Sequence, residues 1–129
     1  MGADAANNSV DQFLRDKIDT VPHLEALLLL WNTRPKGWPV EEMADALYLV
    51  PEAAKEILGD LARQGLSTVS STAPERYHYE SEPERDRLIA LVDSTYRKEL
   101  IRVARLIHSK PSAAVRAFAR AFRFKKEQE

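Results

Sequence analysis

The chain contains no cysteine. That excludes disulfide scaffolds, thiolate-ligated zinc or iron–sulfur centres, and cysteine nucleophiles. Glycine is almost as scarce: four among 129 residues leave little room for a phosphate-cradling loop or for a β-rich fold with many tight turns. The apolar run Leu27–Trp31 falls far short of the roughly 20 residues a membrane span needs. Met1 to Asn8 is small and polar, without the apolar centre of a secretory signal. Met1-Gly2 is followed by Ala6 where a myristoylation motif wants Ser or Thr. Serines cluster near Ser67–Ser71, but without a Gly-x-Ser-x-Gly elbow. The expectation is a cytoplasmic protein, off the membrane, that is not an enzyme and has no catalytic residues, cofactor or metal.

What is present describes an ordinary globular domain: 44% hydrophobic and 30% charged residues, enough to bury a core without a staple. A net charge of −1 hides a strong asymmetry. Between Val40 and Gly65 six acids face two bases, a net of −4, and between Tyr96 and Lys126 ten bases face one acid, a net of +9. A basic third on a neutral chain implies an anionic partner, or an acidic surface on this protein or its copy, unless it is a solvated helix face.

Apolar periodicity predicts mostly helix. Ser9 and Gln12 form a capping box before a short helix from Val10 to Lys17, with residues 1–8 a disordered tail. Pro22 opens a second helix with Leu24, Leu27, Leu28 and Trp31 on one stripe, ended by Arg34-Pro35-Lys36-Gly37. Val40, Met43, Ala44 and Leu47 mark a two-turn helix. After the connector Tyr48-Leu49-Val50, Pro51 opens another helix that buries Ala54, Ile57, Leu58 and Leu61 and stops at Gln64-Gly65. Leu66–Ser70 and Arg76–Tyr79 read as a small hairpin. Ser81 and Glu84 form a second capping box ahead of an uninterrupted helix to about Ile107. At about 39 Å that helix is longer than one small core requires. After His108-Ser-Lys-Pro-Ser112, a last helix from Ala113 to about Lys126 sets Val115, Phe118 and Phe122 beside a ridge of Arg116, Arg120 and Arg123.

This order of elements, with Ala44 at the small position, Leu47 and Leu49 around the turn, Leu58 and Leu61 buried, and Gln64-Gly65-Leu66 leading to the hairpin, resembles a winged helix-turn-helix domain. The long helix after the wing is similar to that of PadR-like and MarR-like bacterial regulators, in which it dimerises. The resemblance implies a mainly α fold with a small β-hairpin: a winged helix-turn-helix over residues 9–80, then a helical extension over 81–129. The length of that helix and its apolar stripe point to a homodimer whose interface includes Ile89, Val92, Tyr96 and Val103, unless the first two helices fold back over the same stripe. Tyr48 departs from the family, which commonly has a small residue or glycine at that turn, though an aromatic there can still pack.

The recognition-helix face holds Glu52, Ala53, Lys55 and Glu56. Carboxylates repel a polyanion, and only cytosine offers them a good base-edge donor, so DNA is disfavoured there. Any anionic partner then falls to Arg116, Arg120, Arg123, Lys125 and Lys126. The resemblance implies a transcription-linked regulator binding DNA or another anionic partner, an acidic protein included. The alternative is a winged-helix protein-interaction module that has given up DNA. His23, His78 and His108 are far apart, without partners at metal-ligand spacing. They read as an exposed first-turn residue, a strand-surface residue and a helix cap. Trp31 and Trp38 read as core and corner packing.

Overall fold

In the computed structural model, residues 2–110 are described. The elements run α1 (Gly2–Lys17), α2 (Val21–Asn32), α3 (Val40–Leu47), α4 (Pro51–Arg63), β1 (Ser67–Val69), β2 (Tyr77–Tyr79), α5 (Pro83–Lys98) and α6 (Leu100–His108). The expected helix from Ala113, with its basic ridge, lies outside the described residues.

α2 is the centre of the molecule. Its Leu24, Ala26, Leu27, Leu28 and Leu30 are buried on several sides, which a helix can do only when neighbours surround it. Those neighbours are α3, α4, β2, α5 and α6, while α1 lies against α5 and α6. Thr20 caps α2, its hydroxyl accepting from the His23 backbone N–H at 3.3 Å, and Pro22 occupies the first turn. The strands pair antiparallel with Ser67 opposite Tyr79 and Val69 opposite Tyr77. Trp38 extends this hairpin through a bridge to Tyr77 and stays buried, its Nε1–H donating to Thr33 Oγ1 at 2.9 Å. Trp31 is half-buried, edge-on to Tyr79 at 5.1 Å, with the Arg34 guanidinium 3.5 Å from its ring centre. Both tryptophans therefore pack as expected. No helix among the described residues is long and apolar enough to cross a membrane.

Three sequence expectations are corrected. α1 begins at Gly2, so residues 2–8, read as a disordered tail, are helical and Ser9 is interior rather than a cap. Ala3, Ala5 and Ala6 are the strongest helix formers and extend the helix backwards. The Ser81–Glu84 box does not form. Pro83 is already in the first turn, so the cap is Glu82, and the acceptor is Asp86. Its carboxylate receives the Tyr79 hydroxyl at 2.6 Å, the Ser81 hydroxyl at 2.6 Å and the Glu82 N–H at 3.1 Å. The Ser81 and Tyr79 hydrogen bonds hold its pKa below the usual range, while burial, with this bond, pushes the Tyr79 phenol up.

The third correction concerns the long helix, which breaks at Glu99 (φ −130°, ψ 48°). Neither proline nor glycine marks the break, so periodicity alone runs straight through it. Beyond it Arg102 reaches both Asp11 carboxylate oxygens on α1 at 3.1 Å and Glu99 at 2.9 Å, while Val103 and Ile107 turn inward. Ile89, Val92 and Val103 are fully buried in the chain's own core and Tyr96 packs half-buried against it. The three aliphatic residues assigned to a dimer seam are thus covered by the chain itself and offer no surface to a second copy.

Candidate nucleic-acid interface

α3 and α4 form the helix-turn-helix, and their boundaries coincide with those the periodicity predicts. Met43, Ala44, Ala54, Ile57, Leu58 and Leu61 face inward, leaving Glu52, Lys55 and Glu56 on the exposed side with Ala53 half-buried. Glu52 and Glu56 form no ion pair with a described residue. The predicted recognition face is therefore brought together as one surface, and it is acidic at its start.

The two ends of α4 are held very differently. At the C-terminal end, the Leu66 N–H donates to Leu61 O at 2.9 Å and the Gly65 N–H to Ala62 O at 3.0 Å. This double closure requires a left-handed residue, and Gly65 supplies it at φ 75°. The same end is tied to α2: His23 Nε2 lies 2.8 Å from Asp60 Oδ2, and Arg63 pairs with the other Asp60 oxygen. Burial pushes the Asp60 pKa up, but the His23 hydrogen bond and Arg63 outweigh it and hold the carboxyl below its ordinary value.

His23 is thus not an exposed first-turn residue. It is 8% exposed, with Nδ1 2.6 Å from the Thr20 hydroxyl. Asp19 brings a second carboxylate to the group, all three ligand-type atoms lying within 4.8 Å of one another. No spacing in the sequence announces this trio, because Asp60 is 37 residues from His23. His78 is half-buried against the Gly37 backbone, where a Cβ on residue 37 would come within 2.4 Å of its ring. His108 is the exposed last residue of α6.

At the start of α4 the same closure recurs on α3, with Leu49 N–H to Ala44 O at 2.9 Å and Tyr48 N–H to Asp45 O at 3.4 Å. Here the left-handed position is filled by Tyr48 at φ 57°. Tyr48 does not pack: it is 95% exposed. The next helix is capped by Val50, which has no side-chain acceptor to offer and is 63% exposed. A shallow cavity of about 500 Å³ between Pro39, Pro51, Glu52 and Pro74 joins the helix pair to the wing. The wing tip, residues 71–76, is exposed and carries Glu75 and Arg76.

These elements, helix pair, two-stranded wing and trailing helices, define a winged helix-turn-helix. Solved structures with this fold extend along nearly the whole chain. A MarR family protein from Bacillus stearothermophilus is 19% identical, with a TM-score of 0.53 over 98% of this chain and 86% of its own. MepR of Staphylococcus aureus, a transcription regulator of the multidrug efflux pump MepA, is 16% identical with a TM-score of 0.55 over 98% and 90%. The MepR–DNA complex is 14% identical with a TM-score of 0.56 over 98% and 94%. No family model matches the chain, and no curated protein matches it. The chain accordingly has the winged-helix fold seen in MarR family proteins.

Proposed function

We propose that this protein is a non-enzymatic winged-helix transcription regulator that acts on duplex DNA as a homodimer. The observation that carries the reading is the likeness along nearly the whole chain to regulators of the same architecture, one of them in complex with DNA. Fold alone does not assign function, so the surface has to supply the contacts. α4 and the wing tip offer Lys55 and Arg76 beside Glu52 and Glu56, too little for phosphate binding. We assign the bulk of that binding to Arg116, Arg120, Arg123, Lys125 and Lys126, from their charge and spacing in the sequence. The dimer is assigned to the exposed Leu91, Leu100 and Ile101 of α5 and α6, in place of the buried stripe.

Fluorescence anisotropy with random-sequence duplex over a salt series tests the reading. Binding at low salt that weakens steeply as salt rises is the expected result, because each neutralised phosphate releases counterion. Replacing Arg116, Arg120 and Arg123 with Glu should flatten that slope. Absence of binding at low salt would overturn the reading in favour of a protein-interaction module.

A further inference from the structure

The turn between α3 and α4 holds two exposed residues, Tyr48 and Val50, that both run against local stability. Tyr48 sits in a left-handed conformation that favours glycine. Val50 caps α4 although a β-branched aliphatic residue is among the poorest choices there. At the equivalent left-handed position after α4 the chain uses Gly65, whereas among the described residues a side-chain cap is present only on α2, from Thr20, and is missing from α3, α5 and α6 as it is from α4. Neither Tyr48 nor Val50 is compensated by burial, since both side chains stand in solvent. The Tyr48 hydroxyl has no hydrogen-bond partner among the described residues. Local rules broken without an internal gain mark positions held for something outside the fold.

Their place says what that is. In a helix-turn-helix the first residues of the second helix meet the base edges in the major groove. Apolar side chains there contact the thymine methyl group, and a carboxylate accepts from the cytosine amino group. Between positions 48 and 56 there is no Arg, Asn or Gln to take guanine or adenine, and Lys55 is the single cation. We propose that Tyr48 and Val50 are base-reading residues that contact thymine methyl groups, with Glu52 accepting from an adjacent cytosine. This rests on the protein being a DNA-binding regulator.

The test begins with selection of bound sequences from a random duplex pool by the full chain, followed by anisotropy on the selected duplex and on the same duplex with uracil for thymine. Uracil differs only in lacking the methyl. The wild type should lose about fourfold in affinity per contacted methyl, and Tyr48→Gly should lose most of that discrimination while remaining folded by circular dichroism. Glu52→Gln should shift the preferred base at one position from cytosine to adenine, which Gln reads bidentately. Equal wild-type affinity for the thymine and uracil duplexes, or full discrimination retained in both Tyr48→Gly and Val50→Ser, overturns the proposal and leaves the regulator reading standing. No binding to any duplex at low salt overturns both at the first step.

Discussion

α4 is entered and left through the same backbone motif, and the two versions differ in the residue that fills the left-handed position and in what holds the helix end around it. At its exit Gly65 takes the left-handed position; at its entry Tyr48 does, with nearly the same φ and the same pair of closing hydrogen bonds. The exit is reinforced by His23, Asp60 and Arg63, whereas the entry has a bare Val50 cap. Equal geometry with opposite residue choice separates two pressures on one helix. The C-terminal end follows the local rules of helix closure, and the N-terminal end breaks them at exposed positions.

The largest effect should come from dissolving the firm end. His23→Ala removes a buried ring with hydrogen bonds to Thr20 and Asp60. It should cost about 2–3 kcal/mol in urea unfolding, from two lost hydrogen bonds, one of them to a charged group, and the space left behind. The Asp60 contribution has a defined sign with pH. Its folded pKa lies below the ordinary value, so this stabilisation is full above the ordinary carboxylate range and is lost as pH falls through the lowered value. His23→Ala should therefore narrow its gap to wild type on acidification. A gap independent of pH would mean that the Asp60 pair contributes nothing.

Next in size is Gly65→Ala. A Cβ at this position meets nothing within 4 Å, so the whole effect is conformational. The left-handed penalty of about 1–2 kcal/mol is partly offset by the stiffer unfolded chain, leaving a loss of about 1 kcal/mol. A neutral substitution at Gly65 would remove the contrast between the two ends of α4.

Much of this was legible in the residues alone, and the exceptions have physical causes. α3, α4 and the hairpin follow from short-range signals: apolar spacing, Pro51 at a first turn, Gly65 at a stop, and Thr, Val and Tyr in the strands. α1 reads short in the sequence because Ser9 imitates a cap, while the alanines before it carry no periodicity. The Glu99 break and the burial of Ile89, Val92 and Val103 depend on α1 and α2 folding over the stripe, and no local pattern records that. The recognition face was legible as a list of exposed positions. The contact that anchors it, His23 to Asp60, is tertiary, joining residues 37 apart in the chain.

The smallest effect is also the most discriminating, because its sign is unusual. Tyr48→Gly should stabilise the protein. The substitution relieves a left-handed penalty of about 1–2 kcal/mol, and glycine returns about 0.5–1 kcal/mol of that through the greater freedom of the unfolded chain. Almost no apolar contact is lost, because the ring is 95% exposed. The net gain is about 0.5 kcal/mol, a rise in melting temperature of about 2 °C for a domain of this size. Val50→Asp, which supplies the missing cap acceptor at the positive end of α4, should add to it. Calorimetry on the single and double variants decides the matter. A fall in melting temperature for Tyr48→Gly would show that the ring contributes to the fold after all, and the entry to α4 would then be held like its exit.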